Sequence, residues 1–228
     1  MAKSFEWTRE AAMEWDARSL VWDAKSQNMW ENGSRKKIVP FMKKHVPAGG
    51  KILDIGCGSG YGTYKLHEAG FQAEGIDISK EMVALAIKHF NRENIDFHSG
   101  DMKQLPFSSE AYDGMMAINV FEWTDNPSVA LNEMKRILKK DGFICAGILG
   151  PAAGPRAHGY RKVYGEDTII NSMMPWEFSQ LAKENGFFLV DSFGVYKKGV
   201  NEKVAKQFSS QLQQSLSFMW IFMLQKKE

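Results

Sequence analysis

Strands alternating with helices, a glycine-rich turn after the first strand, and an acid closing the second predict a doubly wound α/β domain around a mostly parallel sheet. Short apolar runs fall at 51–55, 72–76, 95–98, 111–118 and 142–149, with helical stretches at 61–69, 80–91 and 127–138 between them. Strand–helix alternation of this length means βαβ units. Right-handed crossovers then put helices on both faces of the sheet.

At 228 residues the chain can bury a sizeable core as one large domain or one domain with an appendage. Apolar residues at 44% and charged residues at 25% are ordinary for a globular protein. A formal net charge of +2 provides no basic face for nucleic acid or an anionic membrane, so neither partner is expected. The opening MAKSFEWTRE lacks the apolar segment of a secretory signal. The most apolar stretch, LSFMWIFML at 216–224, is far shorter than the roughly 20 residues a spanning helix needs. It reads as a buried strand, and a cytoplasmic location without a membrane span is expected. Cys57 and Cys145 are isolated and lack CxxC spacing, which argues against a disulfide framework or a zinc site. No metal is expected.

Each remaining element follows from local signals. Residues 5–27 read as a helix, and Asn32-Gly33 then punctuates the chain before Ser34, which is placed to cap a second helix through 44. Residues 1–44 are therefore read as an N-terminal helical cap on a domain spanning 45–228. Trp15 and Trp22 are seven apart and share a helix face, either as a packing stripe or as aromatic surface laid over a ligand cleft. Residues 150–172, beginning GPAAGPRAHGYRKVYGED, break the rhythm as a loop or lid. Helix is expected again at 175–185 and 202–214, and strand at 187–196 and 216–225.

The chemistry is carried by KILDIGCGSGYGT at 51–63. A strand ends at Asp54-Ile55 and runs into Gly56-Cys57-Gly58-Ser59-Gly60, and a helix follows. Glycines let a ligand approach the backbone closely, and the helix N-terminus offers unpaired amides. The G-x-G-x-G spacing fails the G-x-G-x-x-G fingerprint of dinucleotide sites. Asp77 lies 17 residues past Gly60 at the end of the next run, where a carboxylate accepts both ribose hydroxyls or simply caps the helix beginning near Ser79. The third run closes with His98-Ser99-Gly100-Asp101-Met102, then Gln104-Leu105-Pro106-Phe107.

Together these residues resemble the class I S-adenosylmethionine-dependent methyltransferases, specifically the small-molecule group with the pattern DhGCGxG … D … GDxxxLPF, over about residues 41–151. The resemblance implies a Rossmann-like fold with a seven-stranded mostly parallel sheet, its last strand antiparallel between its two predecessors. It implies S-adenosyl-L-methionine as cofactor and methyl transfer as the activity. By the same carry-over, Gly56, Cys57, Gly58 and Gly60 line the methionine and ribose portions, and Asp54 orders the loop and meets the cofactor's amino group, directly or through water. Asp77 holds the ribose with Ile78 against the adenine. Asp101 accepts from the adenine amine while the Met102 amide donates to a ring nitrogen, and Asn119 touches the cofactor by main chain near the methyl group. The residue types agree, because a sulfonium cation with no phosphate suits strand-end carboxylates without a Lys or Arg in the loop.

The acceptor side is less marked. Asn119-Val120-Phe121-Glu122 is not the (D/N)PPY sequence of amino-methylating nucleic-acid enzymes, and no Pro-Cys dipeptide supports a cysteine nucleophile. A small-molecule acceptor leads by elimination. His158 is either a general base or a surface histidine. Arg156, Tyr160 and Arg161 suit an acidic or aromatic acceptor, or are solvated lid residues. Glu122 suits a cationic acceptor or a turn, and Trp30 and Arg35 either close the cofactor site from above or pack helices. A non-catalytic cofactor-binding module stands as the alternative function, and an NAD-dependent oxidoreductase is disfavoured by the glycine spacing.

Overall fold

The computed structural model describes residues 5–227. A seven-stranded sheet runs in the order β3-β2-β1-β4-β5-β7-β6. Its strands are β1 Lys51–Ile55, β2 Gln72–Asp77, β3 Asp96–Ser99, β4 Tyr112–Ile118, β5 Leu138–Leu149, β6 Phe187–Tyr196 and β7 Ser217–Lys226. Strands β1 to β5 pair in parallel, whereas β7 lies antiparallel to both β5 and β6. The doubly wound reading and the inserted antiparallel last strand are therefore both correct.

Helices α3 (Tyr61–Glu68), α4 (Lys80–Phe90), α5 (Pro127–Ile137) and α6 (Pro175–Glu184) supply the crossovers. Side chains on successive strand residues point to opposite faces, and both faces of the central strands are buried. Leu53, Ile55, Met115, Ala117, Ile144, Ala146 and Ile148 pack with Leu131 and Met134 of α5 and Phe178 of α6. Ile52, Met116, Ile118, Cys145, Ile221 and Met223 pack on the other side with Leu66 of α3 and Ile38, Phe41 and Met42 of α2 (Ile38–Met42). This two-sided burial explains the near-continuous apolar runs. The 216–224 stretch is the buried strand β7, and among the described residues no helix is long and apolar enough to cross a membrane.

Three expectations need correcting. The first helix, α1, runs from Trp7 to Glu31, four residues past the expected end. The second does not start at Ser34. Turns occupy 32–37, and α2 begins at Ile38 because Pro40 lacks the amide a longer helix would need there. The expected helix at 202–214 is two short ones, α7 (Glu202–Ala205) and α8 (Ser210–Ser215), and Ser209 caps the second by accepting from Leu212 N. Residues 150–172 form 3-10 turns over Gly154–Tyr164, ended by Gly165, followed by extended chain. Residues 1–4 of the expected cap, and residue 228 of the expected main domain, lie outside the described residues.

Candidate active site

The strand order reverses between β1 and β4, which opens a crevice beyond their carboxyl ends. A cavity occupies it. Four strand ends form its floor: Ile55, Gly56 and Gly58 after β1, Ile76–Ile78 at β2, Gly100–Met102 after β3, and Ile118–Val120 at β4. Helix α1 is its roof, contributing Trp7, Thr8, Ala11, Trp15 and Trp22.

The glycine loop is held open at two points. Gly56 and Gly58 have φ of +67° and +55°, a region other residues enter at a cost. Gly56 also sits under Val120, whose Cγ2 would be 2.6 Å from an added Cβ. Asp77 ties the loop to the second strand by accepting from Gly58 N at 2.8 Å and from Ser79 N at 2.9 Å. Burial raises its carboxyl pKa, and those amides offset part of the rise. Asp101 accepts from Lys103 N at 2.9 Å and from Thr8 of the roof at 3.2 Å.

Helix α1 can approach because its buried inward positions include small residues, Ala11, Ser19 and Ser26. Polar ties then fix it. Trp7 Nε1 donates to Trp123 O at 2.8 Å, Ser79 Oγ to Asp16 at 2.6 Å, and His89 Nε2 lies 3.0 Å from Asp23.

Of the expected cofactor residues, Gly56, Gly58, Asp77, Ile78, Asp101, Met102 and Asn119 line this one cavity. Asp54, Cys57 and Gly60 do not. The Asp54 carboxylate is 4% exposed and accepts from Thr63 Oγ at 2.8 Å, one turn into α3, and so braces the loop from beneath. Burial pushes it up to about 7, against the opposing pull of Thr63 and Arg35. Cys57 is buried beside it, its thiol raised by desolvation.

Trp30 and Arg35 also lie outside this cavity, and so does His158. Trp30 packs over Gly62 of α3. The Arg35 guanidinium is sandwiched between Trp22 at 4.9 Å and Trp30 at 5.5 Å, and it lines a second chamber. Burial lowers its pKa to about 10, while Asp54 and Glu122 oppose that fall. His158 lines the same chamber. Its ring nitrogens face Arg18, at 3.1 Å from Nε2 and 3.4 Å from Nδ1, and burial followed by that cation holds its pKa below the usual value.

The two spaces share Trp15, Trp22, Trp123 and Asn119. Asn119 sits at the junction with φ +57°, and its buried side-chain amide faces the Glu122 carboxylate. Glu122 is wholly buried. It accepts from Leu149 N and faces the Asn119 side chain, so it is a structural link between the ends of β4 and β5, not a surface turn acid. Arg156 belongs to the same scaffold, donating to Leu149 O at 2.7 Å and Met173 O at 2.6 Å. Tyr160 and Arg161 are exposed on the 3-10 segment.

Reading the sequence missed Thr63, Thr8, Met82 and Trp123. Only Trp123 carried a signal, as an aromatic residue just past the β4 end; the others reach their places through α1, α3 and α4.

A family model described as a methyltransferase domain matches residues 53–146, the span that builds the cavity floor. The biotin biosynthesis bifunctional protein BioHC of Teredinibacter turnerae is 36% identical over 62% of this chain and 27% of its own length. Among solved structures, an S-adenosylmethionine-dependent methyltransferase of Methanosarcina mazei superposes with a TM-score of 0.65 at 17% identity, covering 82% of this chain and 97% of that one. The cyclase SpnF superposes at 0.72 with 16% identity, covering 97% of each chain. At these identities the superpositions establish the fold. Residues 53–146 thus match a methyltransferase domain, and the sheet around them has the fold of the S-adenosylmethionine-dependent methyltransferase from Methanosarcina mazei. The chain spans only about a quarter to a half of the curated relatives it matches.

Proposed function

We propose that the chain transfers a methyl group from S-adenosyl-L-methionine to a small-molecule acceptor by in-line displacement. The carrying observation is the convergence of Gly56, Gly58, Asp77, Asp101 and Asn119 on one cavity at the switch in strand order. The donor set suits the cofactor: Asp77 for a ribose diol, Asp101 for an exocyclic amine, Ile78 and Met102 for an adenine face, and no Lys or Arg on the glycine loop. Bound there, the cofactor supplies a methyl group already activated by its sulfonium, so catalysis reduces mainly to positioning.

The chain's own residues then orient and exclude water. Asp77 holds the ribose while its bonds from Gly58 and Ser79 keep the loop in register. Trp7, Trp15 and Trp22 cover the cavity. Arg35, at the loop side of the second chamber, suits the methionine carboxylate, with Trp30 bracing its guanidinium. In this reading the second chamber receives the acceptor, and Asn119 stands where the two meet. His158 is the group there able to take a proton from a neutral nucleophile.

Calorimetry with S-adenosylmethionine and its demethylated product tests the reading. Micromolar binding of both is expected; failure of either to bind at high micromolar concentration overturns it. Cofactor binding with no methyl transfer across a broad acceptor panel would favour the non-catalytic module instead.

A further inference from the structure

The second chamber has a charge pattern of its own. Its titratable lining is Arg18, Lys25, Arg35 and His158, and no Asp or Glu lines it. The rest is mainly apolar or aromatic: Trp15, Trp22, Trp123, Val21, Met29, Leu149, Pro155 and Phe218. Glu14 pairs with Arg18, while Glu122 and Asp54 act on Arg35 through buried space without a hydrogen bond to it among the described residues. Lys25 is exposed at the rim, and no ion pair or hydrogen bond ties it down among the described residues. Partial desolvation and then Arg18 hold His158 toward its neutral form, so it adds little positive charge.

We propose that this chamber selects an anionic acceptor with a largely apolar or aromatic body, such as an aryl or alkyl carboxylate, and that Lys25 and Arg18 determine that specificity. The proposal rests on the methyltransferase reading. With Arg35 committed to the cofactor's own carboxylate and Arg18 paired with Glu14, Lys25 is still uncompensated, and Arg18 stands beside it as a donor already shared with Glu14. A cationic acceptor would meet only like charge at close range, which costs more as water is excluded. A neutral one would leave Lys25 without a partner. Aromatic rings set edge-to-face, Trp15 to Trp123 at 5.0 Å and Trp123 to His158 at 6.0 Å, give a flat apolar body a wall to lie against.

The test uses three probes that differ in one group: phenylbutyrate, phenylbutyramide and phenylbutylamine. Binding to the full chain is followed by tryptophan fluorescence at saturating demethylated cofactor, with Lys25→Met, Lys25→Glu and Arg18→Met beside the wild type. The anion is expected to bind about tenfold more tightly than the amide, with the amine weakest. Lys25→Glu should abolish or invert that order while the calorimetric affinity for demethylated cofactor stays unchanged. Equal binding of anion and amide overturns the proposal, as does preference for the amine. A preference that vanishes once cofactor is bound also overturns it, since the cations would then serve the cofactor's carboxylate. Loss of cofactor binding itself would instead strike the methyltransferase reading, and the probe order without cofactor would still judge the chamber.

Discussion

Trp22 stands against Gly58 so closely that a Cβ added to the glycine would lie 2.7 Å from the indole nitrogen. A residue of the roof helix and a residue of the floor loop thus touch across a gap of 36 positions in sequence. The contact joins the first cavity to the second chamber, because Trp22 lines both.

Gly58→Ala is expected to fail twice. The backbone at φ +55° costs an alanine about 1–2 kcal/mol, and pushing the methyl group into Trp22 adds about 1–3 kcal/mol. Chemical denaturation should show the stability loss, and calorimetry should show weaker binding of demethylated cofactor. Combining it with Trp22→Ala should recover part of the loss; no recovery would mean the contact is not the cause.

Asp77→Asn preserves shape and removes charge. Its carboxylate accepts from Gly58 N and Ser79 N, so one of the two loses an acceptor whichever way the amide turns. Charge-assisted bonds are worth about 1.5–3 kcal/mol, and cofactor affinity should fall by about that amount. Unchanged affinity would move the ribose contact elsewhere.

Asp54 makes stability depend on pH. Its carboxyl is raised to about 7 from 3.8, chiefly by burial. The folded chain therefore retains a proton that the unfolded chain has lost, so the stabilisation is full below pH 3.8 and disappears as pH rises through about 7. Asp54→Asn stays neutral and can still accept from Thr63. Relative to the wild type it should gain about 2–3 kcal/mol between about pH 5 and pH 8. Parallel melting temperatures across that range would show that Asp54 is ionised throughout.

His158 has its pKa lowered first by burial and then by Arg18. Should it act as general base, the acid limb of kcat/KM lies below the usual histidine value, and Arg18→Met shifts that limb upward. A profile unmoved by Arg18→Met and His158→Gln would remove His158 from proton transfer.

The fold was legible because its signals are local. Alternating apolar runs register burial on both faces of β1 and β4, and the glycine loop announces a strand-to-helix turn that needs positive φ. The α2 boundary is not legible locally, because Ser34 has the chemistry of a cap while Pro40 controls where that helix can begin. The loop acids were legible as a set, yet Asp54 could not be separated from Asp77 and Asp101. Whether a strand-end carboxylate faces a cavity or a helix depends on a partner elsewhere, here Thr63.

By itself, the sequence determined the doubly wound sheet, the loop and the strand-end acids, since each follows from neighbours within a few residues. Tertiary structure decided what covers the loop and what lies beyond it. Trp22 reaches Gly58, Arg35 slides between two indoles, and Lys25 and His158 line one chamber only after α1 and the 3-10 segment fold over the sheet edge. Those contacts join residues far apart in the chain, and side-chain packing, which leaves no periodic trace in sequence, selects them.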